Sequence, residues 1–382
     1  MATRVFFLFT LGYFLSYFYR SANAVLSKDL SQDLGLGPAE LGFMTSLFYL
    51  AFAAVQLPLG GFLDRMGPRV VTPALLLVAA LGSVVFALAP SFPILALGRA
   101  LIGVGMAAAL MGALKAFSLW FPKNYATVST LLVGLGATGG LLAATPLALL
   151  KEVLGWRGVF LLGALGVVLV ALAIYLGVRN TPPGVPWPKA GGAGGLREVW
   201  GNGRLLRVAF LALAFAGSFL ALQTLWAGAY GYHLGLTAVA VGNLLFLYSG
   251  MAVLGFLVSG YLADRLGTAR VLFLSALAFA LGLLLLLLKL PVPAYALLGF
   301  FGAFNILTLT QARELVPSHL VGRGTTLVNL FGIGGTFLLQ WGVGVVVGSL
   351  GYGAAFGGLL LLLLLALGLY LPLLHSPSQL KN

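Results

Sequence analysis

The sequence predicts an all-α membrane protein: twelve transmembrane helices in two pseudo-symmetric six-helix bundles. Residues 1–179 and 207–382 are the expected bundles, and 180–206 the cytoplasmic linker between them. Three observations carry this reading. Hydrophobic residues make up 61% of the 382 positions and charged residues only 8%, where soluble domains carry roughly a quarter charged. Apolar runs recur at lengths above the ~18 residues that mark a membrane span. And the chain repeats itself. Gly60, Asp64, Arg65, Gly67 and Val71 return two hundred residues later as Gly260, Asp264, Arg265, Gly267 and Val271.

Backbone polar groups cannot be left unpaired in lipid, so apolar runs of this length are expected to be helices. They fall roughly over 4–26, 40–62, 69–90, 93–120, 126–150, 158–179, 207–231, 238–262, 270–289, 293–316, 324–348 and 354–374. The first run is too long for a cleaved signal segment and lacks a small-residue cleavage site, so it is expected to remain as a span. Each copy of the charged knot joins the second helix of a bundle to the third. Pro122 with Gly139-Gly140 matches Pro317 with Gly334-Gly335, and Leu154-Gly155-Trp156 with Phe160 matches Leu350-Gly351-Tyr352 with Phe356. The stretch 180–206 is rich in Pro and Gly and reads as a linker. Two related six-helix halves are the signature of a carrier whose site lies between them.

Lysine and arginine placement sets the orientation. With the N-terminus inside, the inner side holds Arg4, Arg65, Arg69, Lys123, Arg179, Lys189, Arg197, Arg204, Arg207, Arg265, Arg270, Arg313, Arg323 and Lys381. The outer side holds Lys28, Lys151, Arg157 and Lys289. Both termini are therefore expected in the cytoplasm, in a multi-pass protein of a bacterial cytoplasmic membrane.

Composition excludes other classes. The net charge of +13 does not imply nucleic acid, because the basic residues sit singly at the ends of apolar runs. Cysteine is absent, which removes disulfides and thiolate metal sites. Gly134-x-Gly136-x-x-Gly139 matches a dinucleotide fingerprint but sits inside an apolar span with no preceding strand. His233, His319 and His375 fall near segment ends. No enzyme activity, cofactor or metal is expected.

Gly60 to Arg69, Gly-x-x-x-Asp-Arg-x-Gly-x-Arg, resembles the loop 2–3 signature of the major facilitator superfamily. The second copy has Ala269 in place of the last Arg. Arg99 with Gly103 and Gly105 resembles the family's fourth-helix motif, and Glu314 and Pro317 ahead of Gly322-Arg323 resemble its segment between helices ten and eleven. The resemblance covers essentially the whole chain and implies alternating access by rocking of the two halves. Asp64, Arg65, Arg69, Arg99, Asp264, Arg265 and Glu314 are the implied gating positions. Asp64 lies at a helix C-terminus, where a carboxylate meets an unfavourable dipole. It is expected to need a cation: Arg65, Arg69 or a helix end across the interface.

The eight acidic residues, Asp29, Asp33, Glu40, Asp64, Glu152, Glu198, Asp264 and Glu314, all lie in loops or at helix ends. Three cations, Arg20, Arg99 and Lys115, fall within spans, where each costs at least ~2.5–3.5 kcal/mol on insertion scales. Tyr13, Tyr17 and Arg20 share one helical stripe with Ser16 and Asn23. A guanidinium clamps a carboxylate through two parallel hydrogen bonds. Tyr19 to Asn23 is loosely similar to the first helix of the organophosphate antiporters, whose second Arg in helix seven has no counterpart here; a singly charged organic anion fits better. The alternative for Arg20 is snorkelling or pairing with Asp29. Lys115 either contacts substrate or snorkels, and Arg99 holds helices together or meets ligand.

Uncharged polar residues complete the expected cavity: Tyr49 and Gln56; Gln223, Trp226 and Tyr230; Asn305 and Thr308; Asn329, Thr336 and Gln340. Interhelical hydrogen bonding is the alternative for each. Gly136, Gly140, Gly344 and Gly348 read as close-packing positions. The function expected is a carrier for a small organic anion, working with protons or a counter-substrate, or as a uniporter, with a monomeric functional unit in the lipid bilayer. The alternatives are an exporter of hydrophobic or cationic compounds, suggested by 27 Phe, 13 Tyr and 6 Trp, and a lipid flippase.

Overall fold

A computed structural model describes residues 1–185, 199–317 and 320–374, and all regular structure among them is helical. The expected features at Lys189, Arg197, Glu198, His319, His375 and Lys381 lie outside the described residues. Two compact units emerge, one of Met1–Leu36 with Leu47–Gly192 and one of Gly37–Ser46 with Ala193–Asn382.

In the first unit, α1 (Ala2–Leu34) runs for 33 residues, about 50 Å at 1.5 Å per residue. That exceeds the ~30 Å hydrocarbon layer, so the helix extends beyond the expected 4–26. Next come α2 (Pro38–Met66), which belongs to this unit from Leu47 onward, α3 (Pro68–Ala87), α4 (Phe92–Met106) and α5 (Ala108–Trp120). The last two form one span of 29 residues. The short α6 (Tyr125–Ala137) and α7 (Gly139–Leu142) lead into α8 (Thr145–Gly177). The second unit holds α9 (Gly203–Ala221), a π-helical turn (Leu222–Trp226) and α10 (Ala227–His233), which together make one span. After them come α11 (Ala238–Leu266), α12 (Thr268–Leu287), α13 (Pro291–Gly302), α14 (Leu307–Glu314) and the 50-residue α15 (Val321–Tyr370).

Nine helices among the described residues are long and apolar enough to cross a membrane. The twelve expected spans are reached with α1, the run from Tyr125 to Leu154, and the two arms of α15 taken separately. Two expected loops are absent. Residues 151–157 and 349–353 stay helical except for one residue each: Gly155 (φ 64, ψ 166) and Gly351 (φ 81, ψ 175). These angles are open essentially to glycine alone. One glycine therefore does the work of a loop, at matching places in the two repeats.

Close backbone approach sets α4 against its neighbours. A Cβ on Gly98 would lie 2.6 Å from the Phe86 nitrogen on α3, and one on Gly103 would lie 2.9 Å from Phe48 Cα on α2. A side chain at either position would force these helices apart. The fourth-helix glycines thus bring Arg99 up to Phe48. The dinucleotide-like run has the same explanation. A Cβ on Gly136 would sit 2.9 Å from the Tyr13 ring, and one on Gly139 would sit 3.0 Å from the Phe14 carbonyl carbon. Gly344 is also tightly placed, with a Cβ there 3.1 Å from the Trp226 ring. Gly348 is not: nothing lies within 4 Å of its added Cβ, so its expected packing role is not met.

Gly351 has equally open surroundings, so only its backbone angles resist substitution. Gly351→Ala is expected to destabilise the protein by ~1–3 kcal/mol, seen as a lower melting temperature in detergent. Gly353→Ala, two residues along the same helix, is expected to leave it unchanged.

Candidate functional site

The polar stripe of α1 meets α4 and the middle of α2 inside the first unit. Arg99 is fully buried. Its Nη1 donates to the Tyr19 carbonyl at 2.7 Å and its Nη2 to the Arg20 carbonyl at 3.3 Å. Helical carbonyls keep a spare lone pair for such bonds. The guanidinium also lies 4.9 Å from the centre of the Phe48 ring. Arg99 therefore holds α1 to α4 through the backbone at the point from which Arg20 projects.

Arg20 has very different company. Its strongest polar partner is Ser16 Oγ, 3.4 Å from Nη2, at the outer limit of a hydrogen bond. Nε is buried with no partner. Aromatic rings surround the head, with Tyr17 at 5.0 Å, Phe52 at 5.5 Å and Phe48 at 5.8 Å. Among the described residues no carboxylate pairs with it. Asp29, the acid considered for that role, instead accepts a bond of 2.5 Å from Lys151. Tyr13 packs edge-on to Tyr17 at 5.2 Å. Asn23 is fully buried and Tyr49 nearly so, while Gln56 donates to the Ala107 carbonyl at 3.2 Å. The rings of Phe48 and Phe52 were not among the expected site residues. Their one-turn spacing on α2, opposite a cationic stripe, was the available signal.

The charged knot is arranged differently from expectation. Lys115 Nζ donates to Asp64 Oδ1 at 2.7 Å, so the cation beside Asp64 comes from α5 and not from Arg65 or Arg69. Lys115 is thereby neutralised by an acid, which removes the reason to assign it to a substrate. Arg65 is exposed. Arg69 fastens the loop to the end of α8: its Nε donates to the Tyr175 carbonyl at 3.0 Å and its backbone N–H to Asn180 Oδ1 at 2.8 Å. Asn180 also donates to the Met66 carbonyl. The second knot has no matching ion pair among the described residues. Asp264 is exposed, and Arg265 rests 4.6 Å from the Tyr261 ring. Glu314 accepts from Thr268 Oγ1 at 2.6 Å, and Gln311 from Tyr370.

In the second unit most expected cavity groups are spent on packing. Trp226 Nε1 donates to the Gln340 carbonyl at 2.9 Å, and Tyr230 to the Leu286 carbonyl at 2.9 Å. Asn305, Thr308 and Thr336 each bond a carbonyl one turn back within their own span. Helix rotation decides this, and apolar spans give little sign of it. Two amide atoms remain: Gln223 Oε1 and Gln340 Nε2 are buried without partners. Gln223 lies in the π-helical turn, a feature frequent at functional sites.

The sequence profile of the Major Facilitator Superfamily matches residues 9–242 and again residues 211–382. The chain belongs to that superfamily. It is 31% identical over 168 residues to the "Probable L-galactonate transporter" of Escherichia coli (strain K12), a match covering 44% of this chain and 37% of that protein. It is 26% identical over 387 residues to the "D-galactonate transporter" of Escherichia coli O6:H1, covering 90% of this chain and 87% of that one. The first match thus spans little more than a third of the relative's length. Among solved structures, a bacterial homolog to the human lysosomal transporter Spinster, inward-facing and unoccupied, superposes with a TM-score of 0.82. It is 17% identical and covers 97% of this chain and 96% of that one, a likeness of fold.

The Asp64–Lys115 pair is partly exposed, so its coupling energy is expected at ~0.5–1 kcal/mol. Asp64→Asn and Lys115→Met should each lower the melting temperature, and the double variant should fall no further than the worse single. Asp64→Asn should also insert normally yet lose most flux in reconstituted vesicles.

Proposed function

We propose that the protein carries a small organic anion across a bacterial cytoplasmic membrane by alternating access, with its six-helix halves rocking and both termini in the cytoplasm. Arg20 is the anion clamp. The observation that carries this reading is a guanidinium within a membrane span that has one long hydrogen bond, a buried unpartnered Nε and no acid beside it among the described residues. A carboxylate supplies both the missing charge and the missing acceptors. Relatives named as galactonate transporters agree with an anionic cargo. Tyr13, Tyr17, Asn23 and Tyr49 are the remaining polar groups around the clamp, and Gln223 and Gln340 are the polar groups that the second unit leaves for cargo. A monomer is the functional unit.

A second reading, export of hydrophobic cations, draws on the rings of Tyr17, Phe48 and Phe52. It is the weaker one, because those rings already face a cation, and like charges repel.

Thermal shifts of purified protein separate the two. D-galactonate, D-glucuronate and benzoate should be screened beside tetraphenylphosphonium and phosphatidylglycerol. At least one carboxylate is expected to stabilise the wild type and to lose that effect in Arg20→Ala, with Arg20→Lys intermediate because ammonium lacks the planar fork. Stabilisation by the cation or the lipid alone would overturn the anion assignment.

A further inference from the structure

We infer that the carrier is an obligate exchanger, which returns across the membrane only when a second organic anion occupies the site. This rests on the anion reading of Arg20 and goes beyond it by naming what drives the cycle.

The argument is one of charge. A carrier that releases its cargo and returns empty must seal the vacated site from water on the way. Sealing is tolerable if the site can neutralise itself, as when a carboxylate and a cation in the site pair once the cargo has gone, or when a carboxylate takes up a proton. Neither device is present among the described residues. The seven acidic residues that the structure describes lie towards helix ends or beside the Gly155 break. Asp29 is paired with Lys151, Asp64 with Lys115, and Asp33 accepts from Trp156. Glu40 accepts from the Gly37 N–H and Glu314 from Thr268. Glu152 and Asp264 are exposed, and Glu198 lies outside the described residues. Among the described residues, the ionisable groups around Arg20 and Arg99 are the phenols of Tyr13, Tyr17 and Tyr49, with no acid or imidazole.

Arg99 makes matters worse for the empty state. Its charge is fixed in place by two backbone carbonyls and faces the same Phe48 ring as Arg20. An empty, sealed site therefore encloses two like charges with only ring faces and one long hydroxyl bond for Arg20. An anion removes one of those charges in full. The loaded carrier crosses and the empty one stalls, so flux in one direction requires a counter-anion from the other. Exchange of one monoanion for another moves no net charge and no proton.

The experiment uses wild-type protein in liposomes and labelled D-galactonate, or whichever carboxylate of the screen gives the Arg20-dependent shift. Vesicles are loaded either with the same unlabelled anion or with zwitterionic buffer alone. Uptake into loaded vesicles is expected to exceed that into unloaded ones by on the order of tenfold or more, each factor of ten being ~1.4 kcal/mol of barrier. Neither an acid exterior nor a valinomycin-imposed potential should close the gap. Accumulation in unloaded vesicles at the exchange rate under an acid exterior would overturn the inference and leave the anion reading standing. Absence of any Arg20-dependent carboxylate shift would remove that reading and this inference with it. A variant gives an independent arm. Phe52→Glu sets a carboxylate beside Arg20, and is expected to raise uptake by unloaded vesicles relative to exchange. An unchanged ratio in a correctly inserted Phe52→Glu protein would also count as refutation.

Discussion

Hydrocarbon offers no hydrogen bonds, so each polar group carried into the membrane must find its partner within the protein. The packing of both units follows from this constraint. Tyr19 on α1 is 2.8 Å from Ser83 on α3, which donates in turn to the Phe160 carbonyl on α8. In the second unit Tyr248 donates to the Phe219 carbonyl and Tyr295 to the Ala227 carbonyl. Phenol and indole groups act as cross-ties between helices whose surfaces are otherwise indistinguishable from lipid. Against that background a guanidinium with one marginal bond is conspicuous. The site is defined less by what it contains than by what its neighbours have already satisfied.

The architecture was legible because the repeat is written in residues with a physical reason to persist. Gly67 and Gly267 stand at φ 81 and 86, ahead of α3 and α12. Gly155 and Gly351 break α8 and α15. A third pair escaped the sequence reading. Leu34-Gly35-Leu36 recurs as Leu234-Gly235-Leu236, with both glycines at positive φ and the same offset of two hundred as the charged knots. It was hidden because one glycine among 53 has no distinguishing neighbour until its backbone angle is known. The loops expected around Gly155 and Gly351 failed for a related reason: the composition marks a break without saying how short it is.

The site was half legible. Three cations inside apolar spans were visible as anomalies, and the stripe of Tyr13, Tyr17 and Arg20 followed from helical spacing. Sorting the three was beyond the sequence. Lys115 and Asp64 are 51 positions apart, and nothing local joins them. Arg99 is anchored through Nη1 and Nη2 by carbonyls, which every residue possesses and no sequence displays. The same blindness applied to Trp226 and Tyr230, whose partners are main-chain oxygens on other helices.

The grip of Arg99 on α1 has a longer-term consequence. It falls on main-chain oxygens at positions 19 and 20, so the identity of either side chain is free to drift over generations without loosening that joint. Descendants of one ancestral scaffold can thus acquire new specificities on α1 while inheriting an unaltered anchor.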